Sequence, residues 1–169
     1  MKQFVEWSVI ARKQGLLGLE TIMNNMSDPF LRKGLMLVVD GTAPEDIRII
    51  MEVETELRDQ VDLRGAKVYE GMGIYAPTLG IIGAVLGLIA VMKNLADPSK
   101  LGHGIAAAFT ATIYGIGLAN LFFLPMANKL KQIIHTESMQ RNMIIEGLIA
   151  MAQGDNHRKM ESRLRSYME

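Results

Sequence analysis

Two stretches of this chain carry almost no charge, and they constrain its fold more than any other feature. From Gly71 to Met92 none of the 22 residues is charged, and from Leu101 to Asn128 the 28 residues hold a single His, His103, and no Asp, Glu, Lys or Arg. A helix needs about 20 predominantly apolar residues to cross the hydrocarbon core of a bilayer. A buried helix of a water-soluble domain rarely runs so far without a charge, so both stretches read as transmembrane helices. The connector, residues 93–100, is short and contains Asp97-Pro98, a turn signal, so the spans form an antiparallel hairpin. Arg58, Arg64 and Lys67 precede the first span, and Lys129, Lys131 and Arg141 follow the second. Against two Lys in the connector, this bias places both long arms in the cytoplasm.

The net charge of zero conceals this segmentation. Residues 1–70 carry 9 basic against 12 acidic side chains, 71–128 carry 2 against 1, and 129–169 carry 7 against 5. No segment is basic enough to engage nucleic acid. The chain has no Cys, which excludes disulfides, thiolate metal sites and Cys nucleophiles. Its N-terminus lacks the apolar core of a signal peptide, so the internal spans must direct it to the membrane.

The arms read as helical. Val5, Val9, Leu16, Leu19 and Met23 lie at helical spacing along residues 4–25. Asp28-Pro29 reads as an N-cap and first helical residue, and Asp40-Gly41 as the end of that helix. Thr42-Ala-Pro-Glu45 has the form of a capping box opening a long helix that continues towards the first span. After the second span, helix is expected to persist to Gly154, with Asp155 or Asn156 capping a last amphipathic helix. The Met residues at 139, 143 and 151 read as adaptable packing rather than a cofactor site. The expected fold class is therefore an all-α membrane protein: a cytoplasmic helical region (1–70), a span (71–92), an extracytoplasmic connector (93–100), a span (101–128) and cytoplasmic C-terminal helices (129–169).

Within the spans, Ala76, Gly80, Gly83, Ala84 and Gly87 on the first, and Ala107, Ala111 and Gly115 on the second, let helix backbones approach closely. Two such faces on two helices leave surface to spare, which predicts oligomerisation. Pro77 removes one backbone hydrogen bond inside the first span. The hydroxyls of Thr78, Thr110, Thr112 and Tyr114 and the amide of Asn120 are the polar groups at membrane depth, and bonding to their own helix is their default. A proton or ion path needs a titratable group at that depth, and neither span supplies a carboxylate. If the chain forms a channel, a partner must provide one. There is no nucleophile–base pair, metal-ligand cluster or phosphate loop, and His103, His135 and His157 are dispersed, so no enzymatic activity and no cofactor is expected.

Residues 76–131, from APTLGIIGAVLGLIAVM to FLPMANKLK, resemble the third and fourth membrane helices of the MotA/PomA flagellar stator subunits. ARKQGLLGLE (11–20) is similar to the cytoplasmic motif of that family, and GDNHRKMESRLRSYM to its C-terminal helix. The Pro-x-x-Gly-x-x-Gly pattern alone is less specific, because the related ExbB/TolQ energy transducers share it. The resemblance implies an ion-driven motor in the bacterial cytoplasmic membrane. Five channel subunits would surround two copies of a single-span, peptidoglycan-binding MotB-type partner, whose Asp carries the ion, and the cytoplasmic rim would push the flagellar rotor protein.

Carried over by position, Arg12 and Glu20 match the rotor-facing charges of the family. Eight residues apart, they would lie about 80° apart on one continuous helix. Pro77 matches a Pro near the ion path, Pro125 the Pro at the cytoplasmic end of the second span, and Thr112 a pore-facing Thr beside Tyr114. Ala84 falls where sodium-driven members usually carry Thr, which favours protons, although the partner also sets selectivity. Family members carry two further spans ahead of the Arg-Glu motif, so a fragment or a shortened variant is expected. Two other readings stay open at this point: an ExbB/TolQ-like energy transducer, and a membrane scaffold that transports nothing.

Overall fold

A computed structural model describes residues 2–93 and 98–167, and every regular element among them is helical. The order is α1 (Lys2–Gln14), a 3-10 turn (Leu16–Leu19), α2 (Glu20–Asn24), α3 (Pro29–Val39), α4 (Pro44–Lys93), α5 (Pro98–Leu118), a π-helical turn (Ala119–Phe123), α6 (Leu124–Ala152) and α7 (His157–Arg165). Residues 94–97 of the expected connector lie outside the described residues. Two compact units emerge, one of residues 1–60 with 135–169 and one of residues 61–134.

The first unit has a conventional apolar core. Phe4 and Trp7 of α1, Leu19, Phe30, Leu35 and Val38 of α3, Ile47 and Met51 of α4, Leu148 and Ile149 of α6, and Met160 and Leu164 of α7 are all buried. Gly34 and Gly147 let elements close up: a Cβ on the first would collide with the Leu148 side chain, and on the second with the Phe4 ring. Met151 is part of the core and Met143 packs against it, whereas Met139 is 41% exposed.

Local chemistry sets most boundaries in this unit. The Asp28 carboxylate accepts from the Phe30 N–H at 2.9 Å, with Pro29 in the first turn of α3. Gly41 ends α3 at φ +70°, with Gly41 N–H donating to Val38 O and Thr42 N–H to Leu37 O, the paired bonds of a Schellman motif. Gly154 (φ +68°) repeats that arrangement after α6, and the Asn156 side chain then caps α7 by accepting from Lys159 N–H at 2.8 Å.

Two local expectations need correction. The single helix expected over 4–25 is broken at Gly15, whose φ of +77° is accessible to Gly at little cost. The break lets Leu19 turn into the core at 0% exposure. Thr42 does not cap α4: the helix starts at Pro44, and Ala43 supplies the first accepting carbonyl, to Ile47 N–H. The Thr42 N–H is already committed to closing α3.

The second unit is the hairpin of the apolar parts of α4 and α5. An 18-residue window of α4 reaches a mean hydropathy of 2.1, yet only 11% of it is buried within the chain. The corresponding window after Leu101 reaches 1.6, again 11% buried. Helices this apolar and this exposed are not core helices of a soluble domain, whose apolar faces are covered; lipid or other protein must cover them.

Candidate functional site

Small residues hold the hairpin together. A Cβ on Gly80 would meet the Ala111 carbonyl oxygen at 2.9 Å, and one on Gly115 would meet the Ala76 carbonyl oxygen at 2.7 Å. One on Gly83 would strike the Ala111 Cβ, and one on Gly87 would approach the Gly104 carbonyl oxygen at 3.0 Å. The seam thus runs 76, 80, 83, 87 on α4 against 104, 108, 111, 115 on α5, with the same 4-3-4 spacing on each. Averaging about 3.7 residues per step, close to the 3.6 of a straight α-helix, that spacing keeps a seam facing its partner over several turns. It replaces the expected 107-111-115 stripe: Ala107 is exposed, while Gly104 and Ala108 meet Gly87. Counting α5 at mixed three- and four-residue steps, rather than strict fours, would have found it.

Towards the other end of this unit Ala66 and Ala127 are each 1% exposed, and the Lys131 ammonium donates to the Glu70 carboxylate at 2.6 Å. Between these points lies the π-helical turn, which sequence reasoning missed. Leu124 N–H donates to Ala119 O, five residues back, and Asn120 Nδ2 donates to Ile116 O at 3.0 Å. Pro125 follows at once. A Pro ring clashes with the carbonyl four residues earlier, here that of Leu121, and a wider turn relieves that crowding. Pro77, by contrast, lies inside an α4 that remains α-helical on both sides.

Among the described residues, two grooves border the hairpin. The smaller, about 290 Å3, is lined by Ile81, Ala84, Leu88, Ala108, Phe109 and Thr112 among others. It brings together two residues singled out from the sequence, Ala84 and Thr112. The Thr112 hydroxyl donates to Ala108 O at 3.1 Å, so its proton is committed to its own helix while its oxygen can still accept. Thr110 donates in the same way to Ala106 O at 2.8 Å. Pro77, Tyr114 and Pro125 line neither this groove nor the larger one, and Tyr114 is 67% exposed. The larger groove, about 710 Å3, is apolar except for Lys67 at one end.

In the first unit, Arg12 and Glu20 are both exposed, but the break at Gly15 puts them on different helical segments, so the 80° relation of a continuous helix does not apply. Arg12 Nη2 donates to the Gly154 carbonyl at 3.0 Å, a cation at the C-terminal end of α6. Glu20 opens α2 and forms no ion pair among the described residues. A charge network ties the neighbouring elements. Glu146 accepts from Arg48 at 2.7 Å and from Arg163 at 2.9 Å, and Asp155 accepts from Lys159 at 2.8 Å and Arg163 at 3.0 Å. The bond from Lys159, reinforced by Arg163, holds the Asp155 carboxyl below its usual range. The bond to Glu146 raises Arg48 further. In α4 the bond from Lys33, with Arg58 adding to it, lowers Glu54.

Comparison with known proteins agrees with this geometry. The profile of the MotA/TolQ/ExbB proton channel family matches residues 22–143. Motility protein A of Bacillus subtilis (strain 168) is 41% identical over 165 residues, covering 98% of this chain and 61% of the relative. Among solved structures, C. jejuni MotAB superposes with a TM-score of 0.94 at 36% identity, covering 99% of this chain and 66% of that one. The flagellar MotAB stator complex from Bacillus subtilis superposes at 0.92 with 40% identity, covering 100% of this chain and 66% of that one. This chain thus spans less than two thirds of the length of these relatives. With a profile match over most of its residues, the chain belongs to the MotA/TolQ/ExbB proton channel family.

Proposed function

We propose that this chain is a channel subunit of a flagellar stator, which with a MotB-type single-span partner converts an ion-motive force into torque on the rotor. The observation that carries this reading is a hairpin with small-residue helix contacts, uncovered apolar faces and no carboxylate at membrane depth. Such a hairpin cannot carry an ion alone and has surface left for the element that does. The names of its relatives, a motility protein and MotAB stator complexes, support the same reading.

In this scheme the protein is a multi-pass component of the bacterial inner membrane with both arms in the cytoplasm, and it acts without enzymatic chemistry. The arms are residues 1–70 and 129–169, and the spans 71–92 and 101–128. Several copies, five by family resemblance, surround the partner. The groove of Ala84 and Thr112 borders the ion path, Tyr114 follows Thr112 two residues on along α5, and the missing hydroxyl at Ala84 favours protons over sodium. Pro77 and Pro125 mark where the helices yield as the ion passes. Arg12 and Glu20 present opposite charges to the rotor.

Native mass spectrometry of the complex extracted from its source membrane tests the proposal. A five-to-two assembly with a single-span, peptidoglycan-binding partner supports the stator. A partner that spans the periplasm to an outer-membrane receptor supports the ExbB/TolQ-like reading instead, and a chain without partner supports the scaffold.

A further inference from the structure

Arg12 is held differently from its neighbours in the first unit. Arg48, Arg141 and Arg163 each donate to a carboxylate. Arg12 donates instead to the neutral Gly154 carbonyl, at 3.0 Å, and to no carboxylate among the described residues. Yet a carboxylate is at hand. Asp155 follows Gly154 directly, and with Arg12 the two line one cavity of about 210 Å3. The Asp155 side chain is only 9% exposed, and both of its oxygens are taken: Oδ1 accepts from Lys159 at 2.8 Å and Oδ2 from Arg163 at 3.0 Å.

The choice of partner matters for what Arg12 can offer. An Arg beside an uncommitted carboxylate pairs with it, commonly through two parallel N–H···O bonds. Such a pair would neutralise Arg12 and consume more than one of its donors. A carbonyl takes a single donor and cancels no charge. It also fixes a long side chain in advance, which lowers the ordering cost of meeting a partner. The backbone presenting that carbonyl is itself fixed. Gly154, at φ +68°, closes α6, with its N–H donating to Met151 O and the Asp155 N–H to Ala150 O.

We propose that Lys159 and Arg163 are positioning residues for Arg12. By occupying both oxygens of Asp155 they keep that carboxylate from pairing with the Arg12 guanidinium, which the Gly154 carbonyl holds in place with its charge free for an acidic group on a partner. The proposal rests on the reading of Arg12 as a rotor-facing charge, and stability and motility test the two separately.

The test uses the whole chain. Circular-dichroism melts of single and double variants measure the coupling between positions 12 and 155, and swimming of cells carrying the same substitutions reads the motor. In the parent chain, Arg12→Gln should shift the melting temperature equally, within about 1 °C, with and without Asp155→Asn. In Lys159→Gln/Arg163→Gln the freed carboxylate captures Arg12. There Arg12→Gln should cost about 2–4 °C more with Asp155 intact than with Asp155→Asn, the shift one partly exposed ion pair gives a chain of this size. Swimming should fall in Lys159→Gln/Arg163→Gln and recover when Asp155→Asn is added. A merely structural defect in α7 would not recover, because that substitution restores none of the lost bonds. Lys159→Gln alone, at a side chain 61% exposed, should show both effects in smaller measure and serves if the double variant does not fold.

Absence of coupling in these backgrounds overturns the proposal, whatever the cells do, and so does coupling already present in the parent chain. A swimming loss that Asp155→Asn leaves in place overturns the positioning role. Coupling that appears as expected while swimming is unaffected supports the shielding of Arg12 and overturns its reading as a rotor contact.

Discussion

Gly80 and Gly115 lie so close across the hairpin that a Cβ on Gly115 would come within 2.9 Å of the Gly80 Cα and 2.7 Å of the Ala76 carbonyl oxygen. Both obstacles are backbone, so no side chain can swing aside. In lipid, where apolar burial does not drive helices together, this close approach is the main attraction available. Gly115→Ala should therefore loosen the hairpin by about 1–3 kcal/mol, the usual cost of overpacking. Gly117→Ala, two residues on, meets nothing within 4 Å and should be silent. The distance between spin labels at positions 88 and 105 reads the outcome. An unchanged distance distribution and unchanged thermal stability in Gly115→Ala would show that the seam is not limiting.

Arg12 and Glu20 should separate on charge reversal. Glu20→Lys alters an exposed group with no ion pair among the described residues, so motility should fall while the melting temperature stays within about 1–2 °C, as expected for a surface change below about 0.5 kcal/mol. Arg12→Glu also loses the bond to the Gly154 carbonyl and puts a negative charge at the C-terminus of α6, so it should lower both motility and stability. Swimming assays with circular-dichroism melts distinguish the two. A Glu20→Lys chain that melts early would make this residue structural.

The clasp on α7 predicts a pH dependence. Asp155 has its folded pKa lowered by the bond from Lys159 and by Arg163. A lowered carboxylate pKa stabilises the fold above the unfolded pKa, and that stability is lost as pH falls through the folded value. Asp155→Asn should therefore cost about 1 kcal/mol at neutral pH, and the difference from the parent chain should shrink below pH 4. Melts taken between pH 3 and 7 check this; a gap that stays constant over that range would refute it.

Glu146 is the shared acceptor for Arg48 and Arg163, with a side chain 12% exposed. Glu146→Ala removes the acceptor that Arg48 and Arg163 share, leaving them only Glu52 and Asp155, and should destabilise the first unit by about 1–2 kcal/mol. Glu146→Gln, which keeps the shape and one acceptor oxygen, should cost less. Equal melting of the two variants would show that the charge contributes nothing.

The π-helical turn should depend on Pro125. Pro125→Ala removes the ring from the Leu121 carbonyl and restores a donor, allowing the regular α-helical register between Ala119 and Phe123. Losing the turn rotates everything beyond it by part of a turn, so Lys131 should move away from Glu70. A spin-label distance between positions 70 and 131 that does not change in Pro125→Ala would rule this out.

The sequence by itself determined the features that depend on local chemistry. A run of uncharged residues must leave water, Asp28-Pro29 must open a helix, and Gly41 and Gly154 must end one, because each follows from solvation or from the backbone freedom of one residue. The sequence also showed that no carboxylate lies at membrane depth. What depends on which surfaces meet was decided by the tertiary structure. Residues 4–25 have one helical periodicity, yet the chain breaks at Gly15, because packing Leu19 into the core outweighs continuing the helix. Small residues occur at both 107 and 108 of α5, and only the approach of α4 selects Ala108. Ala84 and Thr112, 28 positions apart, share one groove for the same reason. Arg12 looked like a free surface charge, and the end of α6 that it caps lies 142 residues away in sequence. Backbone preferences act within a few residues, whereas packing sums over all of them, so the second could override the first only once the helices had met.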